Sequence, residues 1–134
     1  MNAECMSYLG TNRQLETVIF KLETKRIHEV LIRIGVPPNI LGYCFLLYAV
    51  ELLLFNPDYM RGITTELYPA IAEKFNSTPA RVERDMRHAI MVAWDRGDLD
   101  YIDKVFMYCV DPNRGVPSNS LFLSRIYYHI TSEK

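Results

Sequence analysis

The sequence predicts an all-α fold, and three observations carry that prediction. No stretch of the 134 residues alternates apolar and polar with the period of two that a half-buried strand needs. Apolar residues instead recur at three- and four-residue spacings in separate segments. Between those segments stand the residues that stop helices: Gly35 with Pro37 and Pro38, Asn56 with Pro57, Gly62, Gly97, and the run Asp111-Pro112-Asn113-Arg114-Gly115.

The composition is that of an ordinary globular domain, 49% hydrophobic and 23% charged. A chain of this length buries a substantial core without disulfides or metals. The formal net charge of -1 gives no overall basic signature, so an anionic partner has to be met by local clustering of cations. Cys5, Cys44 and Cys109 are odd in number and widely spaced, which reads as free thiols in a reducing cytoplasm. The N-terminus lacks a basic region followed by an apolar core, so no signal peptide is expected. The most apolar run, Ile40 to Phe55, contains Glu51 and falls short of the ~20 residues of a membrane span. It reads as a buried helix, and no membrane partner is expected.

Met1 to Thr11 carry no period and are expected to form an arm. From Asn12 the apolar positions Leu15, Val18, Ile19, Leu22, Ile27, Val30, Leu31 and Ile34 are helical, as one long helix or as two with a break near Thr24. A second helix is expected from Pro38 or Asn39 to Phe55, with little polar face. A third ends at Phe75. Pro69 is awkward inside a helix, so this one either starts near Tyr68 or is bent after a first turn begun at Thr64 or Thr65. Asp98 opens a short helix to about Tyr108, and Ser118-Asn119-Ser120 caps a last one from Leu121 to about Thr131. The organisation expected is an N-terminal arm or helical extension over residues 1–26 and a main domain over 27–134.

Between these lies the segment with the sharpest signal. Thr78 is a capping residue, and Pro79 occupies the first helical position, where its missing N–H costs nothing. At about 100° per residue, Val82, Met86, Ala89, Ile90 and Ala93 share one face. Arg81, Arg84 and His88 gather on the opposite face, with Arg87 at its edge. Asn76-Ser77 joins this helix to the preceding one so tightly that the two form a helix-turn-helix. A helix that buries one side and presents arginines from its first two turns suits the major groove of DNA.

The residues also match a specific pattern: Ile34-Gly35-Val36-Pro37, Gly42-Tyr43, Gly62-Ile63-Thr64, Leu67-Tyr68-Pro69, Ile71-Ala72, Asn76-Ser77-Thr78, Arg81-Val82-Glu83-Arg84, Arg87-His88-Ala89-Ile90, Val92-Ala93-Trp94, Arg96-Gly97 and Asn119-Ser120. In this order they resemble the C-terminal DNA-binding effector domain of stage zero sporulation protein A, the response-regulator family of sporulating Firmicutes, over roughly Ile27 to Tyr128. The resemblance implies a six-helix effector fold with a helix-turn-helix, here preceded by an extra N-terminal helical segment. It implies binding to double-stranded DNA through the major groove at a short box, in tandem copies, as a homodimer on DNA. It also admits RNA polymerase or a full-length homologue as a protein partner. In the family a receiver precedes the effector. The 26 residues ahead of Ile27 are too few for a domain of about 50 residues or more, so control by a receiver of its own is not expected.

Arg81 and Arg84 are the candidates for base readout, because a guanidinium donates two parallel hydrogen bonds to guanine O6 and N7. Glu83 matches the family's base-contacting cluster and is able to accept from a cytosine amino group. Its place off the arginine face suits a salt bridge to a neighbouring helix equally well. Lys74, Arg87 and His88 suit phosphate contacts, and the helix start at Thr78 offers N–H groups to a phosphate. Asp85, Asp95 and Glu73 stand where the family has alanine, serine and lysine, and Ala80 where it has serine. These departures predict weaker non-specific affinity or a different preferred site.

No enzyme is expected, since no nucleophile elbow, phosphate-cradling loop or zincin motif occurs. His28, His88 and His129 are far apart, and none has a second histidine or a cysteine three or four residues away, so neither metal nor cofactor is expected. The expectation is therefore a cytoplasmic, sequence-specific transcriptional regulator. Its rival is a protein-interaction module that keeps the fold, pairs with a full-length sporulation regulator and antagonises it. The acidic substitutions and the N-terminal helix motivate that rival.

Overall fold

The structure, a computed structural model, describes residues 10–106 and 115–132. Among them stand six α-helices and no strand: α1 (Gly10–Ile34), α2 (Leu41–Phe55), α3 (Tyr68–Phe75), α4 (Pro79–Arg96), α5 (Leu99–Phe106) and α6 (Asn119–Ser132). The all-α expectation holds. The N-terminal segment is one unbroken helix that begins at Gly10, so residues 10 and 11 belong to α1 rather than to an arm. Cys5, Cys109 and the expected end of α5 near Tyr108 lie outside the described residues.

α2 is the centre. Phe45, Leu46, Ala49, Val50 and Leu53 are all fully buried, and α2 packs against α1, α3, α4 and α6. A helix apolar nearly all round has to be surrounded in this way. It starts at Leu41, later than expected, because Ile40 before it is extended (φ -109°, ψ 154°) and packs on the core. Glu51 is the one charged group on α2. It is half-buried and accepts a hydrogen bond from Thr24 Oγ1 on α1 at 3.4 Å. Burial raises its carboxyl above the ordinary glutamate value, with the Thr24 hydrogen bond working the other way.

Pro69 resolves into both of its expected alternatives. A single wide π-helical turn, Ile63–Leu67, leads into α3, and the Tyr68 N–H reaches back to the Ile63 carbonyl. Widening this turn lets the chain enter Pro69, which has no N–H and whose ring would clash with a tight preceding turn. Pro69 then sits in the first turn of α3, where proline is tolerated.

Two backbone contacts seat α4. A Cβ on Gly42 would lie 2.3 Å from the Asp85 carbonyl oxygen and 2.8 Å from Ala89 Cβ. Only glycine lets α2 approach α4 this closely. At the other end of α4, a Cβ on Gly97 would lie 1.8 Å from the Ile34 carbonyl oxygen. Gly35, with φ +115°, turns the chain out of α1 as Val36 N–H bonds back to Leu31 O at 3.0 Å. Trp94 fills the remaining gap, its ring edge-on to Phe106 at 5.0 Å and to Phe122 at 6.0 Å.

Two outcomes follow. Gly42→Ala forces α2 away from α4 and should lower stability by roughly 1–3 kcal/mol, the usual cost of overpacking, in urea denaturation. Glu51→Gln should raise stability near neutral pH. The folded carboxyl binds its proton more tightly than the unfolded one, so its contribution falls as pH rises from the ordinary glutamate value through the raised one. The variant's advantage should therefore shrink as pH is lowered through that window, which thermal melts across an acid pH series would check.

Candidate nucleic-acid interface

The helix-turn-helix is α3, the turn Asn76-Ser77-Thr78, and α4. Asn76 is the only non-glycine residue with positive φ among those described, at 54°. Asparagine tolerates that left-handed conformation and so closes α3 without a glycine. Ser77 N–H then bonds to Ala72 O at 2.8 Å. Thr78 is extended, and its Oγ1 accepts from Arg81 N–H at 3.2 Å. With Pro79 lacking an N–H and Val82 N–H bonded to Thr78 O at 2.9 Å, the Ala80 N–H is the open donor within the first turn.

Val82, Met86, Ala89, Ile90 and Ala93 are each fully buried, so the inward face of α4 is the one the periodicity predicts. Arg81, Arg84 and His88 are exposed and lie on the opposite side. The arginines differ in their surroundings. Arg84 Nε lies 3.9 Å from the carboxylate of Asp85, so part of its charge is countered next door. Arg87 donates to Glu83 one turn earlier and forms an ion pair with it. The bridge foreseen for Glu83 thus runs along α4 itself rather than to another helix. Lys74, exposed at the end of α3, holds its ammonium 5.7 Å from the Tyr48 ring centroid.

One residue of this region was not singled out from sequence. Asn119 is buried at the first turn of α6. Its Nδ2 donates to the Glu83 carbonyl at 3.0 Å and to the Tyr68 hydroxyl at 3.1 Å. A single amide therefore ties α6 to both α3 and α4. Burial raises the Tyr68 hydroxyl above its ordinary value, so it stays protonated and available as an acceptor at neutral pH. Ser118 caps α6 through a bond from Leu121 N–H to its Oγ at 3.1 Å, which puts Asn119 in position. In the sequence Asn119 reads as part of a cap and of the family pattern, and neither reading points to partners on two other helices.

The surface is thus a short helix-turn-helix with an exposed Arg81–Arg84–His88 stripe and an open helix N-terminus beside it. Both features suit an anionic, groove-shaped ligand. The family described as sporulation initiation factor Spo0A C terminal matches residues 27–130. The chain belongs to this family. It is a family of DNA-binding effectors and not a class of enzymes. The match takes in α2 to α5, nearly all of α6 and the C-terminal third of α1, and leaves the first part of α1 outside. Among the described residues no helix is long and apolar enough to cross a membrane.

Asn119→Ala removes one donor from two buried acceptors and should cost about 1–3 kcal/mol in thermal or chemical denaturation.

Proposed function

We propose that this protein is a sequence-specific DNA-binding transcriptional regulator of the cytoplasm. The first two turns of α4 enter the major groove of a short box, and two copies bind as a homodimer on tandem boxes. RNA polymerase or a full-length homologue is the protein partner. The observation that carries this reading is the exposed Arg81–Arg84–His88 stripe on the second helix of a helix-turn-helix.

Arg81 and Arg84 then read guanine edges, where each bidentate contact discriminates by about 1–3 kcal/mol. His88, Lys74 and the helix start at Thr78 hold phosphates. Arg87 reaches a phosphate from its ion pair with Glu83, and Glu83 either holds that arginine in place or accepts from a cytosine amino group once Arg87 turns away. Asp85 beside Arg84 lowers the local positive potential, which weakens attraction to any phosphate backbone more than it weakens a base contact.

The test is binding to a duplex with a tandem family-type box and to its scrambled counterpart across a salt series. The box should be preferred. Arg84→Ala should weaken binding to the box by about 1–3 kcal/mol and bring it close to scrambled DNA. Lys74→Ala should weaken both duplexes alike and reduce the salt slope by about 1. Equal binding to both duplexes, with Arg84→Ala without effect, would overturn the reading.

A further inference from the structure

The first part of α1 carries an apolar surface that the domain does not use. Leu15, Val18, Ile19 and Leu22 follow one another at i, i+3, i+4 and i+7 and are 57, 53, 54 and 58% exposed. That spacing puts them in one stripe. The opposite side of the same helix faces the domain: Thr17 and Ile27 are buried, and Thr24 is hydrogen-bonded to Glu51. The helix is anchored below the stripe by Ile27, Val30, Leu31 and Ile34 in the core. Two turns of aliphatic side chains therefore stand on a continuous helix, pointing away from the body. These residues precede the segment that the family match covers.

We propose that this stripe pairs with the same stripe of a second copy, the two helices running parallel about a two-fold axis. Four half-exposed aliphatic side chains offer on the order of 400 Å² of apolar surface, the size of the largest patch on a typical monomer, which is often functional. Two copies facing each other cover about 800 Å², and the flanking side chains bring the total near the ~1,000 Å² of a specific interface. The pair is thus small and reversible.

The stripe is made of four aliphatic side chains, so it offers nothing to recognise a charged or extended ligand. It does have the spacing that interlocks with another helix of the same spacing. The flanks choose the direction. Lys21 and Lys25 lie on one side of the stripe and Glu23 on the other. A parallel two-fold pair sets the lysines of each helix against Glu23 of the other copy. An antiparallel pair sets lysine against lysine and glutamate against glutamate. Opposite charges across a helix seam favour the first arrangement.

The experiment is sedimentation equilibrium of the full chain without DNA, from low to several hundred micromolar. Wild type should show a monomer–dimer equilibrium, and Ile19→Glu should be monomeric throughout with an unchanged helical circular dichroism spectrum. Lys21→Glu with Lys25→Glu should weaken the dimer at least tenfold, and adding Glu23→Lys should restore it. A wild type that stays monomeric, or a dimer that Ile19→Glu leaves intact, overturns the proposal. A dimer indifferent to the lysine reversal overturns the parallel arrangement. None of these readouts involves DNA, so the outcome stands apart from the function proposed above.

Discussion

The whole arrangement rests on how closely α4 is allowed to lie against its neighbours. Gly42 puts the backbone of α2 against the Asp85 carbonyl, in the middle of the arginine-bearing turns. Gly97 puts the end of α4 against the end of α1. These two contacts set the height and tilt of α4 over a core that α2 fills. Side chains decide what α4 presents, but the glycines decide where it presents it. A base-reading helix has to place a guanidinium to within about half an ångström, and rigid backbone seating is how a small domain does so.

The charge of the protein follows the same local logic. A molecule with a net charge of -1 attracts DNA only where cations are gathered and left unmatched. On α4, Glu83 holds Arg87 and Asp85 stands by Arg84, so Arg81 and His88 carry no ion pair on this helix. Under the proposed function, such a surface favours direct contacts over diffuse attraction. Asn119 supports it from behind, since its amide holds the Glu83 carbonyl and the Tyr68 hydroxyl together.

Much of this was legible before any coordinates. The inward face of α4, the Thr78 cap, the terminating glycines at 35 and 97 and the buried α2 all follow from periodicity and stop signals. What was not legible depends on three-dimensional proximity. The role of Gly42 lies in the distance to a residue over forty positions away. The tight Asn76-Ser77 connection was readable, but not that Asn76 closes α3 in the αL conformation, and the π-helical turn before Pro69 compromised between two regular alternatives. Asn119 looked like one more capping residue because its partners come from two other helices. For the interface itself, residue type and face were readable, whereas pairing was not: whether Arg87 is free or held depends on Glu83 and on the fold behind it.

The central claim is that the N-terminal half of α4 is the surface that meets DNA. Amide and arginine side-chain NMR shifts, followed while the labelled protein is titrated with a duplex selected from a random library, test it most directly. The account predicts that the largest changes fall on Thr78 to His88, with the Nε–H signals of Arg81 and Arg84 among them. Changes centred elsewhere, with Arg81 and Arg84 unmoved at saturation, would contradict it.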